Sequence, residues 1–146
     1  MSDTSIRVII ADDHAVVRQG IRIVLEEIPG LEVLAEAGDG EEVLALLTVH
    51  APDMLVLDIS MPRKTGLEVA KELRSQGSEM GILVLSMHDN PEYVLEAVRA
   101  GADGYVLKDV GPSELREAVR AVHMDSSVGQ YVARISAATR QHPQLR

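Results

Sequence analysis

Two hydrophobic patterns alternate along this chain. The runs 8–11, 54–57, 82–85 and 105–107 are apolar throughout, which is typical of strands buried on both faces of a parallel sheet. The run 32–37 alternates more between polar and apolar residues, as expected for a strand at the edge of a sheet. The segments that follow these runs carry apolar residues at helical spacing. Five strand-helix units in succession predict an α/β domain with a five-stranded parallel sheet, doubly wound with helices on both faces.

Proline and glycine mark where the predicted helices begin and end. Pro29-Gly30 closes the first helix, and Gly38-Asp39-Gly40 turns the chain into the second. Pro91 and Pro112 lie near the first positions of the fourth and fifth helices, where proline is tolerated. The first helix is predicted to present an apolar face formed by Val16, Val17, Ile21, Val24, Leu25 and Ile28.

The end of the chain differs in pattern from the rest. We expect residues 1–122 to form the folded domain and residues 123–146 to form a linker or tail. Within the tail, a Ser-Ser-Val-Gly break precedes four apolar residues that match one helical face, namely Val128, Tyr131, Val132 and Ile135. A linker helix and a frayed tail are both compatible with this pattern.

Composition excludes several classes of protein. The chain has 146 residues, of which 46% are hydrophobic, so it is long enough for one domain with a real core. It has no cysteine, which excludes disulfides and thiolate metal sites. No signal peptide precedes the first strand, and no apolar run approaches the roughly 20 residues that a membrane helix needs. We therefore expect a cytoplasmic protein that does not contact a membrane.

The distribution of charge argues against direct nucleic-acid binding by the predicted domain. The formal net charge is −9. Only three of the 14 basic residues and one of the 23 acidic residues lie beyond residue 122, so the acidic excess belongs to the domain itself. Such a surface repels the phosphate backbone, which proteins bind mainly through Lys and Arg.

Reactive polar residues stand at the ends of four predicted strands. Asp12 and Asp13 follow the first strand, Asp58 the third, Ser86 the fourth and Lys108 the fifth. Because parallel strands gather their carboxyl ends along one edge of a sheet, these side chains are expected to meet in a single site. A lone Asp after a strand is more often a helix cap or a turn residue, but five concordant placements favour a shared site.

The clustered carboxylates predict a bound divalent cation, because like charges at close range oppose ionisation unless a cation lies among them. Mg²⁺ fits, since it takes oxygen ligands and keeps several of its waters. The predicted direct ligands are Asp13 and Asp58. Asp12 is expected to bind through water, and the backbone carbonyl of Ser60 completes the set. His14 is interpreted as a helix-start residue, because Mg²⁺ has little use for imidazole when oxygen ligands are available.

Asp58 is the candidate phosphoryl acceptor. A carboxylate can act as a nucleophile and form an acyl phosphate when cations neutralise the phosphoryl oxygens. The hydroxyl of Ser86 could donate to one phosphoryl oxygen, and the ammonium of Lys108 could pair with another. These three residues form the predicted reactive set.

The chain resembles the receiver domain of two-component response regulators over roughly residues 6–122. The motifs that carry the resemblance are Ala11-Asp12-Asp13-His14, Leu57-Asp58-Ile59-Ser60-Met61-Pro62, Leu85-Ser86-Met87-His88 and the segment 100–108 that ends in Gly104-Tyr105-Val106-Leu107-Lys108. Among subfamilies it is similar to the NarL/FixJ-like group, which couples a receiver to a LuxR-type helix-turn-helix domain. Residues that are typical of this group are Asp13-His14, Val17-Arg18, Gly20 and the segment 104–109.

The resemblance implies a fold, a reaction and a switch. The implied fold is flavodoxin-like, with strand order 2-1-3-4-5. The implied reaction is Mg²⁺-dependent phosphorylation of Asp58 by a sensor histidine kinase, with at most slow self-phosphorylation and autodephosphorylation, so the chain is not expected to be an enzyme. Ser86 and Tyr105 are the implied switch: the hydroxyl moves toward the phosphoryl group and the aromatic ring swings inward. An ordinary half-buried tyrosine with its hydroxyl in water is the alternative for Tyr105.

The resemblance also implies an output. We expect transcription regulation by a homodimer, with DNA bound only through a helix-turn-helix domain that is not in this chain. The chain is then a truncated form or a single-domain regulator, and truncation is favoured because the tail resembles a linker. An apolar stripe on the fifth helix is either the dimer face or part of the core, and consists of Leu115, Ala118, Val119 and Val122.

Three other functions fit parts of the pattern. A phosphatase of the haloacid-dehalogenase type needs a second Asp two residues after the nucleophile, whereas Ser60 stands there. A flavin carrier needs a phosphate loop after the first strand, where Asp12-Asp13 would repel phosphate. An interaction module that works without phosphorylation remains the third alternative.

Overall fold

In a computed structural model, the structure describes residues 5–125 and 131–133. The elements, in chain order, are β1 (Ile6–Ala11), α1 (Ala15–Glu26), β2 (Leu31–Ala37), α2 (Gly40–Leu46), β3 (Met54–Asp58), α3 (Gly66–Ser75), β4 (Gly81–Ser86), α4 (Pro91–Ala100), β5 (Gly104–Leu107), α5 (Pro112–Asp125) and β6 (Tyr131–Ala133). The described strands form one parallel sheet in the order β2-β1-β3-β4-β5-β6. The predicted flavodoxin-like arrangement of five strands in the order 2-1-3-4-5 is confirmed, with β2 at one edge.

A short sixth strand was not predicted. Residues 131–133 pair in parallel with β5, in the register Gly104↔Tyr131, Tyr105↔Val132 and Val106↔Ala133. The linker helix, one of the two alternatives for the tail, is therefore wrong at these three positions. The exposed edge of β5 offers unpaired backbone groups to a passing segment, and a helical spacing of apolar residues does not reveal that opportunity. Val128, Ile135 and most of the tail lie outside the described residues, and the domain boundary at residue 122 stays a prediction.

The sheet separates two apolar layers because successive strand residues point to opposite faces. One layer packs the sheet against α2, α3 and α4, and includes Ile9, Leu55, Leu57, Val69, Ile82, Val94 and Tyr105. The other packs it against α1 and α5, and includes Val8, Ile10, Leu25, Met54, Val56 and Leu83. Among the described residues, no helix is long and apolar enough to cross a membrane.

The apolar stripe of α5 is core. Leu115, Ala118, Val119 and Val122 are all buried in the layer shared with α1. Of the two uses left open for this stripe, the dimer face is thus the wrong one, since a buried side chain is not available to a partner.

The apolar face predicted for α1 is only partly correct. Ile21, Leu25 and Ile28 are buried, but Val16 is 82% exposed and Val17 is 37% exposed. Helical spacing alone could not separate these residues, because it does not show which turn of the helix is covered by the rest of the protein.

Candidate functional site

The carboxyl ends of four neighbouring strands form one acidic pocket. Asp12 directly follows β1, Asp58 ends β3, Ser86 ends β4 and Lys108 directly follows β5. Since β3 lies between β1 and β4, Asp58 stands at the middle of this edge. The backbone N–H of Lys108 donates to the carbonyl of Ser86 at 2.9 Å and fixes the end of β5 beside β4. The structure thus places these residues together at the carboxyl ends of the strands, where they were predicted to meet.

Lys108 joins two of the carboxylates directly. Its Nζ lies 2.9 Å from Asp12 Oδ2 and 3.1 Å from Asp58 Oδ2. The Asp12 side chain is 0% exposed and the Lys108 side chain 8%, so the contacts are shielded from water. The opposite oxygen of each carboxylate is held by its own loop. Asp12 Oδ1 accepts from the N–H of His14 at 2.8 Å, and Asp58 Oδ1 accepts from the N–H of Ser60 at 3.2 Å.

The charges in the pocket are unbalanced. Burial raises the pKa of Asp58, and the neighbouring charge of Asp12 raises it further, while Lys108 opposes both effects. Burial lowers the pKa of Lys108, but its two carboxylate partners together outweigh burial, so the net pKa is raised and the lysine stays charged. Asp13, whose side chain is 31% exposed, adds a third carboxylate to the cluster formed with Asp12 and Asp58. An excess of negative charge in a buried site favours a bound cation.

The pocket fits Mg²⁺. Within the described residues, Asp12 Oδ2 and Asp58 Oδ2 are buried and accept no hydrogen bond of regular geometry, although Lys108 Nζ is near both. One ligand atom each from Asp12, Asp13, His14 and Asp58 lies within 4.8 Å of the others. Carboxylate oxygens at such spacing are the ligands that Mg²⁺ prefers. Direct ligation by Asp13 and Asp58, coordination by the Ser60 carbonyl and the water-mediated role of Asp12 all stay predictions.

Ser86 and Tyr105 are connected through His88. Ser86 Oγ accepts from the N–H of His88 at 2.9 Å, and the carbonyl of His88 accepts from the Tyr105 hydroxyl at 2.7 Å. The His88 ring stacks on Tyr93 in α4, with ring centroids 4.1 Å apart. A side-chain change at Ser86 can therefore reach both β5 and α4.

Tyr105 occupies the inward position. It is 1% exposed, and burial raises the pKa of its hydroxyl. The alternative of a half-buried tyrosine with its hydroxyl in water is wrong, because the hydroxyl has a backbone partner inside the protein.

Contacts of two residues, which sequence reasoning did not predict, also shape the pocket. Gly66, the first residue of α3, lies so close to Asp58 that a Cβ there would be 2.3 Å from the Asp58 carbonyl oxygen. Arg18 donates through Nη1 to the carbonyl of Asp12 and through Nε to Glu36 at 2.9 Å. Thr65 before Gly66 caps α3 with Glu68 in a capping box, which is a recognisable sequence signal for a helix start. The Arg18 contact spans β1, α1 and β2 and leaves no signal in local sequence.

Comparison with known proteins gives consistent matches. The family described as "Response regulator receiver domain" matches residues 8–120. The transcriptional regulatory protein YxjL from Bacillus subtilis is 44% identical over 121 residues, which are 83% of this chain and 56% of YxjL. The nitrate/nitrite response regulator protein NarP from Escherichia coli is 42% identical over 125 residues, which are 86% of this chain and 58% of NarP. The chain thus spans a little over half the length of these two relatives.

A solved structure matches over nearly the whole chain. It is a two-component response regulator of the LuxR family from Aurantimonas sp. SI85-9A1, with a TM-score of 0.85 and 32% sequence identity. The match covers 97% of this chain and 99% of the other.

Proposed function

The chain belongs to the response regulator receiver domain family, as the receiver of a LuxR-family two-component regulator, and from this premise we propose that Asp58 accepts a phosphoryl group from a sensor histidine kinase. The observation that carries the proposal is the contact of Lys108 Nζ with both Asp12 and Asp58. A buried pocket with one ammonium and surplus carboxylate oxygens can receive both a divalent cation and a phosphoryl group.

The position of Asp58 supports it as the acceptor over its neighbours. It ends β3 in the middle of the edge, between Asp12 after β1 and Ser86 at the end of β4. Its Oδ1 is held by the N–H of Ser60, while Oδ2 points to Lys108. A phosphoryl group on Asp58 can therefore reach Lys108 without a change in the backbone.

The proposed reaction is the transfer of a phosphoryl group to a carboxylate oxygen of Asp58. A carboxylate oxygen of Asp58 forms a bond to phosphorus as the phosphorus–nitrogen bond of the kinase phosphohistidine breaks, and the imidazole leaves with the electron pair. The Lys108 ammonium pairs with one phosphoryl oxygen, and the Ser86 hydroxyl donates to another. Asp13, Asp58 and the Ser60 carbonyl would hold Mg²⁺ directly and Asp12 would hold it through water, and the bound ion would supply positive charge beside the phosphoryl oxygens.

The chain is proposed to be an acceptor and not a turnover enzyme. Hydrolysis of an acyl phosphate is fast when a second carboxylate two residues after the nucleophile acts as general acid and base. Ser60 occupies that position. We therefore expect at most slow self-phosphorylation and autodephosphorylation.

The contacts around His88 suggest how phosphorylation changes the surface. If Ser86 Oγ turns toward the phosphoryl group, the hydrogen bond from the His88 N–H is lost or weakened. The loop between β4 and α4 is then free to shift, along with the His88 carbonyl that holds Tyr105 and the ring that stacks on Tyr93. Such a switch biases a pre-existing equilibrium, with about 1–3 kcal/mol of coupling free energy.

The proposed output is transcription regulation in the cytoplasm. The family membership supports a LuxR-type DNA-binding domain as the effector, with residues 123–146 as the linker to it, and homodimerisation as the response to phosphorylation. The burial of the α5 stripe leaves the dimer face to other surfaces. A single-domain regulator is the alternative.

Intact-mass spectrometry after incubation with acetyl phosphate tests the proposal. The chain is expected to gain one phosphoryl group in the presence of Mg²⁺ and none with a chelator, and Asp58→Asn is expected to gain none. Asp53→Asn, at the other end of β3, is the matched control and should gain it as the unmodified chain does. No gain by the folded chain with Mg²⁺, or an equal gain by Asp58→Asn, would contradict the proposal.

A further inference from the structure

The loop between β3 and α3 contains an unusual backbone conformation. Arg63 has a φ angle of +65°, and among residues 5–125 and 131–133 it alone has a positive φ without being glycine. The N–H of Lys64 donates to the carbonyl of Pro62 at 2.6 Å, which closes a three-residue turn around Arg63. Left-handed backbone is costly for a residue with a Cβ, and it persists only where surrounding contacts hold it. The turn at Arg63 therefore depends on contacts outside itself.

Two contacts tie this loop to the turn between β2 and α2. Arg63 Nε donates to Asp39 Oδ2 at 2.9 Å. The Gly40 N–H donates to the carbonyl of Lys64 at 3.0 Å. A Cβ at Gly40 would lie 2.3 Å from that carbonyl oxygen, so the close approach of the two turns requires glycine. These two contacts together are called the loop clamp.

Asp39 is built into the fold, whereas Arg63 lies at the surface. The Asp39 side chain is 3% exposed and that of Arg63 is 63% exposed. The other carboxylate oxygen of Asp39 accepts from the N–H of Glu42 at 2.9 Å and caps α2. The hydrogen bond from Glu42 lowers the pKa of Asp39, and the Arg63 guanidinium lowers it further against the effect of burial. A fixed, ionised carboxylate thus holds an exposed arginine and the strained turn at its base.

The clamped loop is the one that leaves the acidic pocket. It begins directly after Asp58, and the N–H of Ser60 donates to Asp58 Oδ1 at 3.2 Å. At its other end, the N–H of Gly66 donates to the carbonyl of Ile59 at 3.4 Å. Only two residues separate Ser60 from the strained turn at Arg63. Hydrogen bonds thus fix both ends of the loop, and the loop clamp fixes its tip.

We propose that the loop clamp positions the phosphoryl-acceptor site. Through Arg63, the buried Asp39 holds the loop in the conformation that keeps the Ser60 backbone beside the acceptor carboxylate. Asp39 and Arg63 act through the loop and contribute no atom to the reaction. The clamp itself stands on its own contacts. Its consequence, that loss of the clamp weakens Mg²⁺ binding and phosphoryl acceptance, rests on the proposed function.

Amide hydrogen exchange, measured by NMR on the metal-free chain, tests the clamp itself. The readout is the protection factor of the Ser60 N–H. We expect Asp39→Asn and Arg63→Ala each to lower it about tenfold, within the range of coupling between contacting residues. Asparagine can still cap α2, so Asp39→Asn removes the charge and keeps the cap. Asp53→Asn is the matched control, because Asp53 pairs with Arg7 at the other end of β3, and it should leave Ser60 protection unchanged.

Two further variants separate positioning from a general loss of stability. Because glycine adopts a positive φ without strain, Arg63→Gly should retain more Ser60 protection than Arg63→Ala, although both lose the ion pair. The double variant with Asp39→Asn and Arg63→Ala should lose no more protection than the worse single variant, since both changes break one contact.

Four results would each overturn the proposal. The first is unchanged Ser60 protection in Asp39→Asn, and the second is equal protection in Arg63→Gly and Arg63→Ala. The third is additive losses in the double variant, which would show that Asp39 acts independently of Arg63. The fourth is a loss in Asp53→Asn as large as that in Asp39→Asn.

Mg²⁺ affinity connects the loop clamp to the site. Measured by calorimetry, it should fall about tenfold in Arg63→Ala, the lower end of the cost of losing a group that orients metal ligands, and it should fall less in Arg63→Gly. An unchanged Mg²⁺ affinity in Arg63→Ala would overturn the positioning role. Phosphoryl uptake from acetyl phosphate is measured in the same samples. Failure of the unmodified chain to bind Mg²⁺ or to gain a phosphoryl group would refute the proposed function, while the exchange data would still decide whether the clamp holds the loop.

Discussion

Two clusters of charges that are largely shielded from water lie at opposite ends of the strands, and they are built differently. At the amino edge, Arg74 of α3 donates to the carbonyls of Gly101, Ser78 and Met80, and pairs with the Asp103 carboxylate at 2.9 Å. At the carboxyl edge, Lys108 alone faces Asp12 and Asp58. The first cluster has one carboxylate for one cation and many backbone acceptors, whereas the second has surplus negative charge.

The same contrast is seen in the causes that shift the pKa values of Asp103 and Asp58. Burial raises the pKa of Asp103, but the hydrogen bond from the Ile82 N–H and the charge of Arg74 both oppose the rise. Burial also raises the pKa of Asp58, and there the next largest effect, from Asp12, acts in the same direction. A satisfied cluster stabilises the fold, and an unsatisfied one retains affinity for a cation and a phosphoryl group.

Removal of Arg74 should have the largest effect on stability. Arg74→Ala leaves the largely shielded Asp103 without its cation and removes the Arg74 hydrogen bonds to three carbonyls, so we expect a loss of about 3–5 kcal/mol in the free energy of unfolding. Urea denaturation monitored by circular dichroism measures it. Arg22→Ala is the control, because Arg22 pairs with Glu26 and Glu36 near the surface, and it should lose about 1 kcal/mol or less. Equal losses of unfolding free energy in Arg74→Ala and Arg22→Ala would show that the Arg74 cluster stabilises the fold no more than an ion pair near the surface.

Removal of Lys108 should lower the free energy of unfolding, and added Mg²⁺ should restore part of the loss. Lys108→Met leaves two buried carboxylates without an ammonium, and we expect a loss of about 2–4 kcal/mol without Mg²⁺. Because a bound cation can replace part of the lost positive charge, saturating Mg²⁺ should reduce the difference in the free energy of unfolding between Lys108→Met and the unmodified chain. Lys64→Met, which breaks a partly exposed pair with Glu72, should change stability little and show no such dependence on Mg²⁺. If Mg²⁺ leaves the stability difference between Lys108→Met and the unmodified chain unchanged, the account is contradicted.

The contribution of Asp103 to the free energy of unfolding should depend on pH, which gives a further test of the comparison. Its folded pKa is raised, so its contribution to stability is fully present below the unfolded pKa of about 3.9 and is lost as pH rises through the folded pKa. Asp103→Asn cannot ionise there. The free energy of unfolding of the unmodified chain, relative to this variant, should therefore fall as pH rises from about 3 toward neutrality and then level off. Urea denaturation across that range measures it, and a relative stability that grows with pH would show that Arg74 and Ile82 outweigh burial.

Much of the fold followed from local sequence. Runs such as 54–57 have no polar residue, which only a strand covered on both faces can accommodate, and Pro91 and Pro112 begin helices as their fixed torsion angle requires. The parallel arrangement then brought Asp12, Asp58, Ser86 and Lys108 to one edge, so these residues were found without any knowledge of their contacts.

The remainder depended on tertiary contacts that a linear pattern does not contain. An apolar helix stripe has the same appearance whether it meets the sheet or a partner, and only the packing against α1 assigned the α5 stripe to the core. Val16 was assigned to the apolar face of α1 but is exposed to solvent. The link from Ser86 through the His88 backbone to Tyr105 uses main-chain atoms, which carry no sequence signal at all.

The central claim is that carboxylates at the two ends of the strands serve opposite purposes, and one matched pair of variants tests it most directly. Urea denaturation without Mg²⁺ would compare Asp58→Ala with Asp103→Ala. We predict a loss of about 2–3 kcal/mol for Asp103→Ala, because Ile82 N–H and Arg74 lose their shared acceptor, and a change of less than about 1 kcal/mol for Asp58→Ala, because Lys108 keeps Asp12 and the repulsion between carboxylates is relieved. A loss at Asp58 as large as that at Asp103 would contradict the account.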